Sequence, residues 1–443
     1  MFSLNQTNLH KLWSHGAKPY CLTGSVIQAP LNETFVGERC FVQDANGNHL
    51  AWAQTIGFNE KGALMSLIGS NSGVSRAALV VPSGKNFELS LSDNILGTVI
   101  DSEGNYRGQL KGANISKEKQ DFSKVSITNL SIEKRAPEFS ERKGISTWFE
   151  TGIRAIDSLL SCGIGQRVGI FAPAGGGKTS LLSMLVAHSN ADVFVIGLVG
   201  ERGREVAEFV EGAIATDKAK RTVVVYATSD SAPLERRNAA LVATTVAEYF
   251  RDQGKHVLLL VDSMTRYARA LRDVALSAGE APARRGYPAS VFEALPKLLE
   301  RSGHTKKGAI TAFYTVLLED DEQDPIGDEV RSILDGHIYL SKTLAARGHF
   351  PAIDILRSAS RVASHIADNF TLERARVFRS CLAKLDELQL VVDLGEYRPG
   401  ENPETDALFS IKPAMFNFLQ QRQDESSSLT KTLEQFNVVT QKP

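Results

Sequence analysis

At 443 residues the chain has room for two or three domains, and 42% hydrophobic with 23% charged content excludes a mostly disordered polymer. Its 50 basic and 51 acidic residues leave a formal charge of −1, without the basic excess that marks nucleic-acid binding. No run reaches the roughly 18 apolar residues that span a bilayer, and Cys21, Cys40, Cys162 and Cys381 lack the CxxC pairing of a disulfide or zinc framework.

Residues 1–20 are polar and weakly periodic, which predicts a flexible N-terminal arm. Its start, Met1-Phe2-Ser3-Leu4-Asn5-Gln6, has neither the basic region nor the apolar stretch of a secretory signal. Residues 21–90 alternate short β-rich runs with turn signals. The runs are Gly24 to Ile27, Cys40 to Val42, Ala51 to Ile56 and Ala63 to Ile68, and the breaks include Asn46-Gly47 and Pro82-Ser83-Gly84. That spacing predicts a small β-barrel or sandwich. Residues 115–145 are charged and irregular and read as a surface connection.

Beyond 150 the pattern becomes strand, helix, strand. Val168 to Phe171, Val193 to Val199, Thr222 to Tyr226 and Val257 to Val261 are continuous apolar runs, separated by helical stretches. Such runs predict a parallel sheet covered on both faces. Past about 363 only helical spacing remains. The expected division is therefore an arm at 1–20, a barrel at 21–90, a nucleotide domain at 91–362 and a helical C-terminal domain at 363–443.

The segment Ala172-Pro173-Ala174-Gly175-Gly176-Gly177-Lys178-Thr179 joins the first strand of this region to its first helix. It fits G-x-x-x-x-G-K-[ST], with Ala172 in place of the first glycine. Small residues from Ala174 to Gly177 let backbone N–H groups curl around phosphate oxygens, and the helix start adds its positive dipole end. Lys178 would neutralise the β- and γ-phosphates of ATP, and the Thr179 hydroxyl would ligate Mg²⁺. Ser180 belongs with the nucleotide-contacting residues. The fold class expected is α/β: a RecA-type P-loop core with a small N-terminal β-barrel and a helical C-terminal domain.

Asp262 ends the most apolar strand, where an open α/β sheet binds ligands. It suits the Mg²⁺ shell, although an Asp before Ser263-Met264-Thr265-Arg266 also suits a helix cap. Glu201 follows Val199-Gly200 at the same edge and could polarise the attacking water, and its neighbours Arg202 and Arg204 could orient it or touch phosphate. From spacing alone, the solvated charge cluster is the better reading of Glu201-Arg202-Gly203-Arg204-Glu205.

Taken together, these segments resemble the catalytic subunits of the rotary and secretion ATPases. Gly200-Glu201-Arg202-Gly203-Arg204-Glu205-Val206 resembles the segment of the catalytic glutamate, Asp262-Ser263-Met264-Thr265-Arg266 the Walker B strand end, and Gly286 to Phe292 the following loop. Within that superfamily the chain is most similar to the type III secretion ATPases, relatives of the flagellar export ATPase. Ala247 to Lys255 and Leu394 to Asn402 carry this narrower likeness. The resemblance implies Glu201 as the base, Arg202 and Arg266 as its supports, and Arg361, in Ser358-Ala359-Ser360-Arg361-Val362, as an arginine finger for the neighbouring subunit. Phe350 matches the aromatic that packs on adenine. Read bottom-up, Arg361 would be a surface cation and Phe350 a core aromatic.

The same resemblance implies a homohexamer, cytoplasmic and peripheral to the inner membrane at the export apparatus. A coiled-coil stalk protein would meet the pore loop Gly279 to Tyr287, a stator-like regulator the N-terminal arm, and chaperone-effector complexes the C-terminal helices. Leu382, Leu385, Leu388 and Leu390 suit either a cargo groove or core packing. The implied function is ATP hydrolysis driving protein export, with flagellar export as the alternative. A non-catalytic ring subunit is disfavoured by the presence of Glu201. A hexameric helicase is disfavoured by the charge balance and by the lack of an aromatic-basic stripe over 21–90.

Overall fold

The computed structural model describes residues 16–113, 127–212, 214, 216–318 and 324–441. Six antiparallel strands come first: β1 (Cys21–Thr23), β2 (Val26–Ala29), β3 (Glu38–Gln43), β4 (His49–Asn59), β5 (Gly62–Ile68) and β6 (Leu79–Asn86). They lie in the order β1-β2-β5-β4-β3-β6. Alternation makes the layer: in β3 every second residue, Glu38, Cys40 and Val42, is buried. The entering chain joins the two edges. Ala17 exchanges both backbone hydrogen bonds with Val80 of β6 (2.9 Å each), and Tyr20 N–H then donates to Gln28 O of β2 (3.0 Å). Residues 17–20, assigned to the arm from sequence, thus help close the barrel. Residues 1–15 of that arm lie outside the described residues.

Four strands link barrel and core: β7 (Glu88–Leu91), β8 (Thr98–Asp101), β9 (Tyr106–Gln109) and β10 (Thr128–Ser131). β7 pairs with β10, and Ile132 just behind β10 is fully buried. The surface connection expected over 115–145 is corrected there. Leu130 and Ile132 are an alternating apolar pair that the neighbouring Glu133-Lys134-Arg135 masks in composition. Residues 114–126 of the same stretch lie outside the described residues.

The core runs α1 (Arg154–Leu159), β11 (Arg167–Pro173), α2 (Lys178–His188), β12 (Val193–Glu201), α3 (Gly203–Gly212), α4 (Thr216–Ala219), β13 (Thr222–Thr228), α5 (Pro233–Asp252), β14 (His256–Asp262), α6 (Met264–Ser277) and α7 (Ala289–Leu299). It continues through β15 (Gly303–His304), β16 (Ala309–Leu318), α8 (Pro325–Ile333), β17 (Gly336–Leu340), α9 (Lys342–Ala346) and β18 (Ile353–Ser360). The sheet order is β18-β17-β11-β16-β14-β12-β13-β8-β9. All neighbours from β17 to β8 are parallel, and the edges β18 and β9 are antiparallel.

Both faces of this sheet are covered, which is why its strands read as unbroken apolar runs. In β12, Phe194, Ile196 and Leu198 face a cluster with Leu181 and Leu185 of α2. Val193, Val195 and Val199 face the other side, with Ala243 and Val246 of α5. Beyond β18 come α10 (Ala363–Ile366), α11 (Asn369–Asp393), α12 (Pro403–Leu419) and α13 (Leu429–Thr440). Phe378, Phe418 and Phe436 bring α11, α12 and α13 together, with ring centroids 5.5 to 6.1 Å apart. Leu385 is buried, and Leu382 and Leu388 pack against the core. These three leucines are core residues, while the side chain of Leu390 lies outside the description. All four cysteines are free. Among the described residues no helix is long and apolar enough to cross a membrane.

Candidate active site

β11 ends at Pro173 and α2 begins at Lys178, so Ala174 to Gly177 form a tight turn at the C-terminal edge of the sheet. Gly175 (φ +77) and Gly177 (φ +84) take the left-handed backbone that glycine adopts without steric cost. No side chain caps α2, so the N–H groups of its first turn are available to an anion.

Charged groups converge on this turn from neighbouring strand ends. Glu201 is the last residue of β12, Asp262 is the last of β14, and the two strands are paired. Lys178 Nζ reaches both, 2.6 Å from Asp262 Oδ1 and 3.1 Å from Glu201 Oε1. Arg266, in the first turn of α6, holds the other Glu201 oxygen at 2.5 Å and donates to Gly200 O at 2.6 Å. Thr315 of β16 donates its hydroxyl to Asp262 Oδ1 at 2.6 Å. Glu201 and Asp262 are only 4% and 5% exposed. Two buried anions are thus matched by two cations, an arrangement that keeps carboxylates usable in a low-dielectric site. Burial opposes the charge on Lys178, but the Asp262 and Glu201 carboxylates outweigh it and raise its pKa above the ordinary lysine value.

The alternative of Asp262 as a helix cap does not hold, because Ser263 caps α6 by accepting from Arg266 N–H (3.4 Å). The solvated-cluster reading divides. It holds for Arg202, which is exposed and faces Glu205 at 3.5 Å, and for Arg204, which pairs with Glu208 at 2.6 Å. It fails for Glu201. The structure brings Arg266 to Glu201 and leaves Arg202 outside.

Phe350 is not a core aromatic. It is 42% exposed, and a Cβ built on Gly177 would lie 3.3 Å from its ring. With Ser180 and Met184 it lines an open cleft of about 870 Å³ whose far wall is Gln420 to Glu425. This C-terminal loop carries no phosphate or base motif, and sequence reasoning missed it, as it missed Thr315. Arg361 lies elsewhere. It is exposed, follows β18, and lines a separate cleft of about 500 Å³ with Arg331, His337 and Arg357. Among the described residues no group of three or more His, Cys, Asp or Glu could hold a metal ion alone. Mg²⁺ accompanying a nucleotide needs little from the protein, because phosphates and waters fill most of its shell. The Thr179 hydroxyl and the Asp262 carboxylate are a fitting donor set.

Comparison with known proteins places the chain in a family. Residues 152–360 match the ATP synthase alpha/beta family, nucleotide-binding domain, and residues 367–437 match the T3SS EscN ATPase C-terminal domain. The SPI-1 type 3 secretion system ATPase of Salmonella typhi is 49% identical over 432 residues, covering 96% of this chain and 98% of its own. The flagellum-specific ATP synthase of Pseudomonas aeruginosa is 42% identical over 416 residues, covering 93% and 90%. Among solved structures, the assembled ATPase EscN from the type III secretion system of enteropathogenic E. coli matches with a TM-score of 0.88 at 42% identity, over 96% of this chain and 100% of that one. The same ATPase in complex with its central stalk EscO gives 0.85 at 41% identity, with the same coverage. The chain belongs to the type III secretion system ATPases: it binds nucleotide and hydrolyses ATP.

Proposed function

We propose that the chain works as one subunit of a homohexameric ring whose ATP hydrolysis, centred on Glu201, drives protein export through a type III secretion system. The observation that carries this reading is the buried Glu201 carboxylate, held by Arg266 beside the P-loop lysine. On binding, the phosphates of ATP lie against the N–H groups of Gly175 to Ser180, and Lys178 turns from its carboxylates to the β- and γ-phosphates. Glu201 then keeps Arg266 and its hydrogen bond with Glu205, and the oxygen that Lys178 leaves takes a proton from water. That water attacks the γ-phosphorus as the bond to the β-phosphate oxygen breaks, giving ADP and phosphate. Phe350 packs on adenine. Thr179 and Asp262 would hold Mg²⁺, which when bound neutralises phosphate charge. Arg361 of the adjacent subunit reaches the γ-phosphate, and Arg202 has no part in the step.

Support for a ring comes from EscN, whose structure was solved as an assembled ATPase. By analogy with the EscO complex, a coiled-coil stalk meets the loop Gly279 to Tyr287. A stator-like regulator binds the N-terminal arm, chaperone-effector complexes reach the C-terminal helices, and the ring docks on the export apparatus at the cytoplasmic face of the inner membrane. Flagellar export has the same chemistry, but the 49% identity to a secretion ATPase against 42% to a flagellar relative favours the secretion system. The test is Glu201→Gln. It should bind Mg-ATP as the parent does and lose turnover by at least about 10², the range of general-base contributions. Retained turnover, or loss of binding and turnover together, would remove Glu201 from the base role.

A further inference from the structure

The adenine-side wall of the nucleotide cleft comes from a loop with no regular structure of its own, the connection from α12 (ending at Leu419) to α13 (starting at Leu429). A wall of that kind keeps one shape only if something outside it supplies the bonds. Arg154, the first residue of α1 and only 7% exposed, supplies several of them. Its Nε donates to Phe418 O at 3.0 Å, and its two terminal nitrogens donate to Gln420 O and to the Glu425 carboxylate. Its backbone N–H donates to Gln421 Oε1 at 2.8 Å.

Gln421 passes the restraint onward. It is 3% exposed, its amide donates to Gly152 O and Glu425 O at 2.7 Å each, and its N–H donates to Phe350 O at 2.9 Å. A ring nitrogen of His188, at the end of the P-loop helix α2, lies 2.8 Å from Gln423 O. One core arginine therefore ties a C-terminal loop to the residue that carries the proposed adenine platform. A planar guanidinium serves these three acceptors from three separate nitrogens held in one plane, whereas an ammonium carries all its donors on a single nitrogen.

We propose that Arg154 is a positioning residue for nucleotide binding: it holds Gln420 to Glu425 in place as a preformed wall of the adenine cleft. The inference rests on the reading that Phe350 packs on adenine. Preorganisation of this kind acts on affinity, because a loose wall must be ordered at each binding event. The chemistry at Glu201 is untouched.

The experiment uses the full chain, a fluorescent ATP analogue to measure Kd, and steady-state turnover to separate KM from kcat. Arg154→Lys should raise Kd and KM roughly tenfold while kcat at saturating ATP stays within about twofold. Glu425→Gln, a milder change at a half-exposed position, should shift both in the same direction by roughly threefold. Phe350→Ala is measured beside them and should also weaken binding. If Phe350→Ala weakens binding while Arg154→Lys and Glu425→Gln bind like the parent, the positioning role is overturned and the adenine site stands. If Phe350→Ala also binds like the parent, the cleft is not the adenine site and both readings fall. Should Arg154→Lys not fold, Glu425→Gln decides: an unchanged KM overturns the proposal.

Discussion

Arg361 and Lys178 stand at opposite ends of the same parallel strands. Ser360 pairs with Gly336, and Gly336 pairs with Val168 near the start of β11, whereas Lys178 follows the far end of that strand. From Val168 to Pro173 a strand covers roughly 17 Å at about 3.3 Å per residue. Arg361 is therefore far from the P-loop of its own chain, and a phosphate site it served would have to belong to another copy, a geometry that ring closure would provide at every interface. Its side chain makes no hydrogen bond or ion pair among the described residues, and Arg331 and Arg357 line the same cleft.

The expected outcome is complementation. Glu201→Ala and Arg361→Ala should each be inactive alone. Mixed in equal amounts, they should recover up to roughly a quarter of parent turnover, because random assembly pairs an intact base with an intact finger at about one interface in four. ATP turnover measured against mixing ratio and protein concentration checks this. No recovery at any ratio would mean that the finger does not act between subunits.

Arg266 and Arg202 separate by their surroundings. Arg266 is bonded to Glu201 and Gly200 O, while Arg202 lies at the surface near Glu205. In the proposed step Lys178 moves to phosphate, which would leave Arg266 as the cation that orients Glu201. Arg266→Ala should then lower kcat on the order of 10² and change nucleotide Kd by less than about threefold, and Arg202→Ala should stay within about twofold on both. Equal losses in the two variants would show that a general basic field matters, rather than the bond to Glu201.

The P-loop, the two strand-end carboxylates and the alternation of strand and helix were legible in the sequence because each is a local pattern. Gly175 and Gly177 are read directly from the turn they permit, and Asp262 from the apolar run before it. What stayed hidden is joined across long separations. Arg154 meets partners more than 260 positions away, and nothing in Gly152-Ile153-Arg154-Ala155 announces them. Thr315 sits in an apolar strand, where its hydroxyl gives no signal until the sheet places β16 beside β14. Arg202 and Arg266 looked alike as neighbours of motif residues. Only the chain direction after β12, and the first turn of α6, decides which one faces Glu201.

Asp157 carries a pH dependence that is separate from the chemistry. It is fully buried in α1 and accepts from Thr151 N–H, the Thr151 hydroxyl and Gly152 N–H. Those bonds favour the carboxylate, but burial outweighs them and pushes its pKa up to about 7. A carboxyl whose pKa is raised on folding adds stability below its unfolded value, about 4, and loses it as pH rises through 7. The parent's advantage over Asp157→Asn should therefore be largest near pH 4 to 5 and shrink towards pH 8. Each tenfold change in the ionisation constant is worth about 1.4 kcal/mol, so the loss is on the order of a few kcal/mol. Denaturant unfolding of both proteins across that range is the check. A difference that is flat, or that grows with pH, would mean that Asp157 is ionised throughout.

Arg301 is the largest of the fully buried side chains, and it ties three segments together. It is 1% exposed, donates to both Glu248 oxygens at 2.9 and 2.8 Å, and reaches Ile132 O at 2.7 Å and the Thr245 hydroxyl at 2.9 Å. The β10 strand end, α5 and the turn after α7 meet on this one guanidinium. Removing it leaves Glu248, itself 1% exposed, without a counter-ion. Arg301→Met should cost on the order of 3–5 kcal/mol in denaturant unfolding, the usual cost of breaking a buried pair from one side. The double change Arg301→Met with Glu248→Met should recover a good part of that loss, because no charge is then stranded. If the double variant is as unstable as the single, the bond to Ile132 O carries the effect, and Arg301 is there to anchor β10 rather than to balance Glu248.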